Sequence, residues 1–278
     1  LAYAEETPIV VTARVPEAVQ QFVERMSVAP ATAEQLARWD DEICTGVAGL
    51  PRRQAEFVAD RVAQRAHAVG LAPGAPNCAP NISVIVTQDA DAAAQRMYGE
   101  NASLFAFQQS VNVTTLDQQA LDNFLRSERA VRWWHVSERR SADGMTLSGD
   151  SAQGGIANAP AARSAGSRLR NDTRQDLSQV IVMIDARRVG GVQLAALADY
   201  IAMIALAQIN PNAELSGYPT IMTLFAQRPA GEAAPAAMTA WDFGYLDGLY
   251  HATRNAQSIR QQQSEIRHRM VSEQSARH

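Results

Sequence analysis

The chain has 278 residues, 46% of them hydrophobic, which is enough to bury a large core in one domain or in two small ones. Its formal net charge of -4 gives no electrostatic reason to expect nucleic-acid binding. All 25 basic side chains are arginine, which we attribute mainly to a GC-rich bacterial genome, with selection for bidentate arginine contacts as the alternative.

The N-terminal residues have the pattern that ends a secretory leader. Ala2 and Ala4 match the spacing of small residues at a cleavage site, and Glu5 and Glu6 would begin the mature chain. An arbitrary start of the sequence is the alternative. Residues 1–14 are expected to be extended. The pattern indicates export to the periplasm or to the cell surface of a bacterium.

Two cysteines agree with export, because an oxidising compartment would allow Cys44 and Cys78 to pair. Loop-closure entropy would give such a bridge about 3–4 kcal/mol of stabilisation. Two buried free thiols are the alternative. Two cysteines cannot complete a zinc site, and neither has a histidine at ligand spacing, so we expect no metal here.

Apolar residues three or four apart predict four helices in the first part of the chain, over residues 15–28, 32–39, 51–69 and 89–98. Pro51 and Gly70 are typical of the first turn and the end of a helix, and Asp89 is typical of an N-cap. The β-branched segment 81–87 predicts a strand. Residues 39–50 are expected to form an irregular bend.

The middle of the chain contains its most aromatic segment. Strand 131–136, which follows a short helix over 117–127, carries Trp133, Trp134 and His135. These three side chains are a candidate binding surface, with a core position plus one exposed ring as the alternative. Residues 103–115 are ambiguous between strand and loop, and residues 138–178 are expected to form a flexible hairpin or insertion.

The second half predicts a strand that leads into a long buried helix. Residues 179–185 are β-branched and apolar, and a turn rich in Arg and Gly separates them from the apolar run 192–209. Apolar residues lie on every face of that run, so we expect the helix to be buried nearly all round. Asp199 lies in its middle, and a charge at bilayer depth costs a few kcal/mol. We therefore predict a core helix and no transmembrane span.

The C-terminal part predicts one more packed helix and a polar tail. Thr239 is placed to cap a helix that continues to Tyr250. The tail that follows is rich in Gln, Arg and Ser, with Ile259, Ile266 and Met270 as its large apolar residues. Because packing alone should not hold so polar a helix, we expect these three side chains to dock on a partner, or the tail to fray.

Three pairs of segments carry a family resemblance: Cys44 with the segment 78–86, which runs from Cys78 into the predicted strand, strand 180–184 with helix 192–209, and residues 218–225 with 238–250. Together they resemble the zincin-like metallopeptidase-related proteins of bacterial envelopes. The resemblance covers about residues 40–250 and implies a zincin-like fold, in which helix 192–209 is the metal-binding helix.

The chain departs from that family at the metal-binding motif. Zincin chemistry needs H-E-x-x-H, in which two His one turn apart hold the metal and the Glu activates its water. The helix has Asp199-Tyr-Ile-Ala-Met203 at this spacing and contains no His or Glu. Met203 cannot replace imidazole for zinc. The resemblance thus implies a relative without catalytic activity, metal or cofactor, and Asp199 is expected to be a core carboxylate paired with an Arg.

Other motifs give no competing chemistry. No G-x-x-x-x-G-K-[ST] phosphate loop, G-x-S-x-G nucleophile elbow or G-x-G-x-x-G dinucleotide motif is present. None of the five histidines has a second ligand residue at metal-binding spacing on a predicted element.

The sequence therefore predicts an α/β or α+β fold with one mixed sheet, a long buried helix and a helical C-terminal part. It divides into three parts: the segment 1–14, a single zincin-like domain over 15–250 with the insertion at 138–178, and a polar helical tail over 251–278. We expect a non-catalytic accessory subunit that binds another envelope protein. This function is compatible with peripheral association of the chain with a membrane. The alternatives are a hydrolase that acts near Trp133, Trp134 and His135, and a small-ligand binding protein whose tryptophans line a pocket.

Overall fold

The computed structural model describes residues 15–30, 32–108, 112–147 and 170–276, and over these ranges it is a mixed sheet of five strands with helices on both faces. The strands are β1 (Thr45–Ala48), β2 (Ile82–Thr87), β3 (Val113–Thr114), β4 (Val131–Ser141) and β5 (Thr173–Asp185). The helices are α1 (Val15–Met26), α2 (Arg52–Ala68), α3 (Ala90–Glu100), α4 (Gln118–Arg126), α5 (Leu194–Leu206), α6 (Ala240–His251) and α7 (Ile259–Ala276). The predicted mixed α/β class is confirmed, whereas the expectations for residues 1–14 lie outside the described residues.

The sheet has the order β1-β2-β5-β4-β3. Strands β1, β2 and β5 are parallel, and β4 and β3 are antiparallel to their neighbours. Successive side chains of a strand point to opposite faces, and in β5 both faces are covered. Val180, Val182 and Ile184 pack in one core and Ile181 and Met183 in the other, which explains why this strand is apolar throughout.

Two apolar cores give the molecule three layers. The larger core lies between one face of the sheet and helices α1, α2, α5, α6 and α7. The smaller core lies between the other face and helices α3 and α4. Helix α5 belongs to the larger core, and every residue from Ala196 to Leu206 is buried. The predicted core helix is confirmed, and within the described ranges no helix is long and apolar enough to cross a membrane.

Local capping explains several element boundaries. The Asp89 side chain accepts a hydrogen bond from a backbone N–H in the first turn of α3. Thr239 caps the start of α6, as predicted, and it forms a capping box together with Asp242. Gly70 follows the end of α2 with a φ of +84°, a conformation in which glycine is favoured.

The disulfide is present, and it joins the start of β1 to the loop that precedes β2. Cys44 and Cys78 are bonded, with their Cα atoms 5.9 Å apart. The Asn81 side chain reinforces the same junction, because its Oδ1 accepts a hydrogen bond from the Cys44 N–H at 2.7 Å. The predicted pairing is confirmed.

Two predictions of irregular structure are wrong in the described part of the chain. Residues 39–50 contain the edge strand β1, a four-residue segment that contains a glycine and pairs in parallel with β2. Residues 138–141 and 173–178 are ordered strands of the antiparallel pair β4–β5, which agrees with the hairpin alternative and not with an insertion. Residues 148–169 lie outside the described residues. The helix expected over residues 32–39 does not form; this segment runs beside the end of β5.

The C-terminal tail is packed against the domain, which corrects its expected role as a docking element. Ile266 and Met270 on α7 are 0% and 1% exposed, and Ile259 is partly buried against the same core. Gly248 on α6 allows this packing, because a Cβ there would lie 3.0 Å from the Ile266 Cα. Gly244 and Gly248 thus leave room on α6 for Met270 and Ile266 of α7.

Candidate functional site

The sheet places Trp134 on one face, and Trp133 and His135, the other two residues predicted as a binding surface, on the opposite face. Trp133 and Trp134 belong to the two different cores, because adjacent side chains of β4 point to opposite faces. Trp133, Trp134 and His135 are 8%, 1% and 2% exposed. The Trp134 indole N–H donates to the Phe105 carbonyl at 2.9 Å. These residues therefore form no common surface, and the prediction is corrected on this point.

His135 is held as a neutral core residue. Its Nε2 lies 2.8 Å from the Ile204 carbonyl oxygen of α5. Burial lowers the pKa of His135 to about 4, and hydrogen bonds to the carbonyls of Ile204 and Ala207 oppose this shift only in part. The ring therefore stays uncharged at pH 7 and ties β4 to α5.

Asp199 is a buried carboxylate that two arginines of α2 neutralise. It is 0% exposed, and its two oxygens accept from Arg65 Nε at 2.8 Å and from Arg65 Nη2 at 2.9 Å. Arg61 Nη1 lies 3.4 Å away, and the Met238 N–H donates to Oδ2 at 2.9 Å. The prediction of a core carboxylate paired with an Arg is confirmed.

The contacts of Asp199 connect three parts of the structure. The ion pair joins α5 to α2, and the bond from Met238 joins both to the segment that precedes α6. Met203, one turn further along α5, is 0% exposed. Over the described ranges, no group of three or more His, Cys, Asp or Glu side chains lies close enough together to hold a metal ion.

A cavity of about 530 Å³ opens beside α5, between the start of β4 and the segment that follows α5. Its inner wall is aromatic. The ring centroids of Trp133 and Tyr200 are 6.4 Å apart at an interplanar angle of 73°, and those of Tyr200 and Phe225 are 5.1 Å apart at 83°. Met222 and Leu215 complete the apolar wall. A cavity of this size is typical of small-molecule sites.

The rim of the cavity carries both signs of charge. Exposed side chains of Glu128, Arg129, Arg188 and Glu214 line it. Arg129 bonds to the turn after α5, donating to the Pro211 carbonyl and, at 3.0 Å, to Asn212 Oδ1. This arginine therefore fixes the shape of one side of the opening.

The hydroxyl of Tyr200 has no hydrogen-bond partner among the described residues, although the residue is only 6% exposed. Its neighbours in the wall are the rings of Trp133 and Phe225, and the Trp133 indole N–H is already used by the Ile209 carbonyl at 3.0 Å. Burial raises the pKa of Tyr200, so the hydroxyl remains protonated. It is a free donor in the cavity wall.

A second charged cluster, at the opposite end of β5, is fully used in holding the fold. Arg38 is 4% exposed and donates to the Leu249 carbonyl and, at 2.9 Å, to the Ala252 carbonyl at the end of α6. Burial lowers the pKa of Arg38 to about 10, so it stays charged at pH 7. Nearby, Asp176 accepts from Arg174 Nη2 at 2.9 Å. Such a cluster is structural.

Sequence reasoning identified Trp133 but missed the other cavity residues. Tyr200 lies in the apolar run and was indistinguishable from core, Phe225 ends a segment that was used only for the family resemblance, and Arg188 lies in a turn with no motif. The tyrosine hydroxyl, next to Asp199 in a helix whose other residues are apolar, was the local signal for Tyr200.

No protein-family model, curated protein or solved structure matches this chain.

Proposed function

We propose that this chain is a non-catalytic extracytoplasmic binding protein, an accessory subunit of a bacterial envelope complex on a zincin-like scaffold. The observation that carries the proposal is the composition of the cavity beside α5. Its lining, within the described residues, is aromatic, aliphatic and amide in character, with four charged side chains and no Ser, Thr, Cys or His. Acyl transfer by a side-chain nucleophile needs such a residue next to a base. These walls are suited to binding instead.

The environment of α5 supports the absence of zincin chemistry from the proposed function. On the proposed zincin-like scaffold, Asp199 and Met203 would occupy the two positions at which the zincin motif has its helical histidines. Asp199 is saturated by Arg65, Arg61 and the Met238 N–H, and Met203 is buried. A metal ion placed here would have to displace a bidentate ion pair.

The proposed envelope location is supported by the disulfide. A bond between Cys44 and Cys78 forms and persists in oxidising compartments such as the bacterial periplasm. The charge balance offers no basis for a nucleic-acid partner, since the formal net charge is -4. The partner that we propose is another protein of the envelope.

The proposal is tested by a ligand screen read through the tryptophan in the cavity wall. Purified protein is titrated with envelope metabolites, amino acids and short peptides, and both melting temperature and tryptophan fluorescence are recorded. A true cavity ligand should raise the melting temperature and change the fluorescence. The Trp133→Phe variant should lose the fluorescence response, and Trp241→Phe on α6, outside the cavity, should retain it.

Two results would contradict the proposal. One is turnover in a broad peptidase and esterase screen that disappears in the His135→Gln variant, which would favour the hydrolase alternative. The other is stoichiometric zinc in the purified protein that is lost on Asp199→Asn.

A further inference from the structure

We infer that the cavity beside α5 binds a small zwitterion with an apolar side chain, namely a free amino acid with an aromatic or branched aliphatic side chain, or a very short peptide. The inference rests on the proposed binding function and specifies its ligand. It follows from the apolar wall, the charges of the rim and the unpartnered hydroxyl between them.

The inner wall selects an apolar group. Trp133, Tyr200 and Phe225 meet edge to face, so together with Met222 they offer an apolar recess rather than a flat surface. Burying a phenyl or isobutyl group against such side chains removes apolar area from water. The volume of about 530 Å³ holds one amino acid or a dipeptide, and it is too small for a folded segment of a protein.

The two arginines of the rim keep donors for a carboxylate. The guanidinium of Arg129 bonds to a carbonyl and to an amide oxygen, which are neutral acceptors, so no carboxylate compensates its charge. Arg188 lies 3.6 Å from Asp185, but Arg187 already binds both oxygens of that carboxylate. Arginine on a rim with spare donors is suited to carboxylate recognition.

The two glutamates of the rim supply the opposite charge. No cation of the described residues lies within ion-pair distance of the Glu128 or Glu214 side chain. The four rim charges sum formally to zero, so the opening does not favour an anion over a cation. A ligand with one charge would leave rim groups of one sign partly desolvated and unmatched, whereas a zwitterion matches both signs.

The Tyr200 hydroxyl completes the recognition. The hydroxyl makes no hydrogen bond to a described residue, so its donor is available to a ligand oxygen in the cavity. Because burial raises the pKa of Tyr200, the hydroxyl stays protonated. It can therefore donate a hydrogen bond to an acceptor such as a carboxylate or carbonyl oxygen. The charge of Arg129 opposes part of this rise in the pKa of Tyr200, so the hydroxyl lies near that arginine of the rim.

Isothermal titration of the full chain tests the inference with four chemically matched probes. L-Phenylalanine should bind at least tenfold more tightly than 3-phenylpropionate, which lacks the ammonium, and than phenethylamine, which lacks the carboxylate. Glycine, which lacks the apolar side chain, should show no measurable binding. Comparing L-phenylalanine with glycyl-phenylalanine separates a free amino acid from a short peptide as the ligand.

Variants locate the binding within the cavity. Arg188→Gln, Glu214→Gln and Tyr200→Phe should each weaken L-phenylalanine binding by about fivefold or more, with the melting temperature of the free protein little changed. Arg96→Gln on α3 and Glu17→Gln on α1, both exposed and outside the cavity, serve as charge-matched controls and should bind normally. Arg129 is left intact because it also holds the Pro211 turn.

The outcomes separate this inference from the proposed function. If phenylpropionate, phenethylamine or another singly charged or neutral compound binds as tightly as L-phenylalanine with a Trp133 signal, the zwitterion assignment is wrong and the binding function stands. If no compound in any arm or in the broad screen binds, both the zwitterion assignment and the role of the cavity as a ligand site in the proposed function are overturned. Unchanged affinity in Arg188→Gln and Glu214→Gln would also overturn the assignment.

Discussion

Replacing Arg65 with methionine should be among the most destabilising single changes on helix α2. The substitution keeps an apolar stem but removes both short contacts to Asp199, at 2.8 and 2.9 Å. Asp199 is 0% exposed and cannot turn towards water, and it would retain only Arg61 at 3.4 Å and the Met238 N–H. Breaking a buried ion pair by removing one partner costs about 3–5 kcal/mol, so we expect a loss of stability in that range.

Removing the carboxylate instead should cost less. In Asp199→Asn the two arginines lose their counter-charge, but their side chains are 20% and 21% exposed and can reorient towards water. We therefore expect a loss of about 2 kcal/mol, which includes a weakened bond to the Met238 N–H. The double variant Arg65→Met, Asp199→Leu replaces the ion pair with apolar groups. It should lose less stability than the sum of the losses in Arg65→Met alone and Asp199→Leu alone.

Urea unfolding followed by far-UV circular dichroism, at pH 7 and with the disulfide intact, measures these free energies. Arg52→Met on the same helix is the matched control. Its ion pair with Glu56 is exposed, with side-chain exposures of 90% and 55%, so it should change stability by less than about 0.5 kcal/mol. The reasoning is refuted if Arg65→Met stays within about 1 kcal/mol of wild type, or if Asp199→Asn costs more than Arg65→Met.

Three further changes test the disulfide, His135 and the glycines of α6. Replacing Cys44 and Cys78 with serine should lower the free energy of unfolding by about 3–4 kcal/mol, since the bond spans 34 residues; a loss below about 1 kcal/mol in urea titrations would contradict the entropic argument. Because burial lowers the pKa of His135 from 6.5 to about 4, the unfolded chain is protonated first, and stability is lost as the pH falls through that window. In His135→Gln, the free energy of unfolding should fall between pH 7 and pH 4 by about 3 kcal/mol less than in wild type. Parallel curves of unfolding free energy against pH for the two proteins would disprove this. Gly248→Ala should destabilise the protein by about 1–3 kcal/mol, because the new Cβ would meet the Ile266 backbone at 3.0 Å. Gly244→Ala is the control: its Cβ would meet the flexible Met270 side chain at 3.3 Å, so its stability in thermal unfolding should stay within about 1 kcal/mol of wild type. Equal effects of the two substitutions would contradict the packing argument.

Sequence patterns predicted the features that depend on local chemistry. The apolar run that became α5, the caps at Asp89 and Thr239, the strand β2 and the second half of β5 all follow from residues close together in the chain. The disulfide followed from there being two cysteines in a chain with an export pattern. The pairing of Asp199 with an arginine followed from the cost of burying a lone charge.

Tertiary structure alone decided the edge strand, the packing of α7 and the cavity. β1 is a strand because it pairs with β2, and α7 is held because Gly248 allows Ile266 to approach, so neither depends on local propensity. The cavity brings together Arg129, Trp133, Arg188 and Tyr200 from three separate segments of the chain. Periodicity within an element tells which side chains are buried, but which buried side chains face a common space depends on how the elements pack against one another.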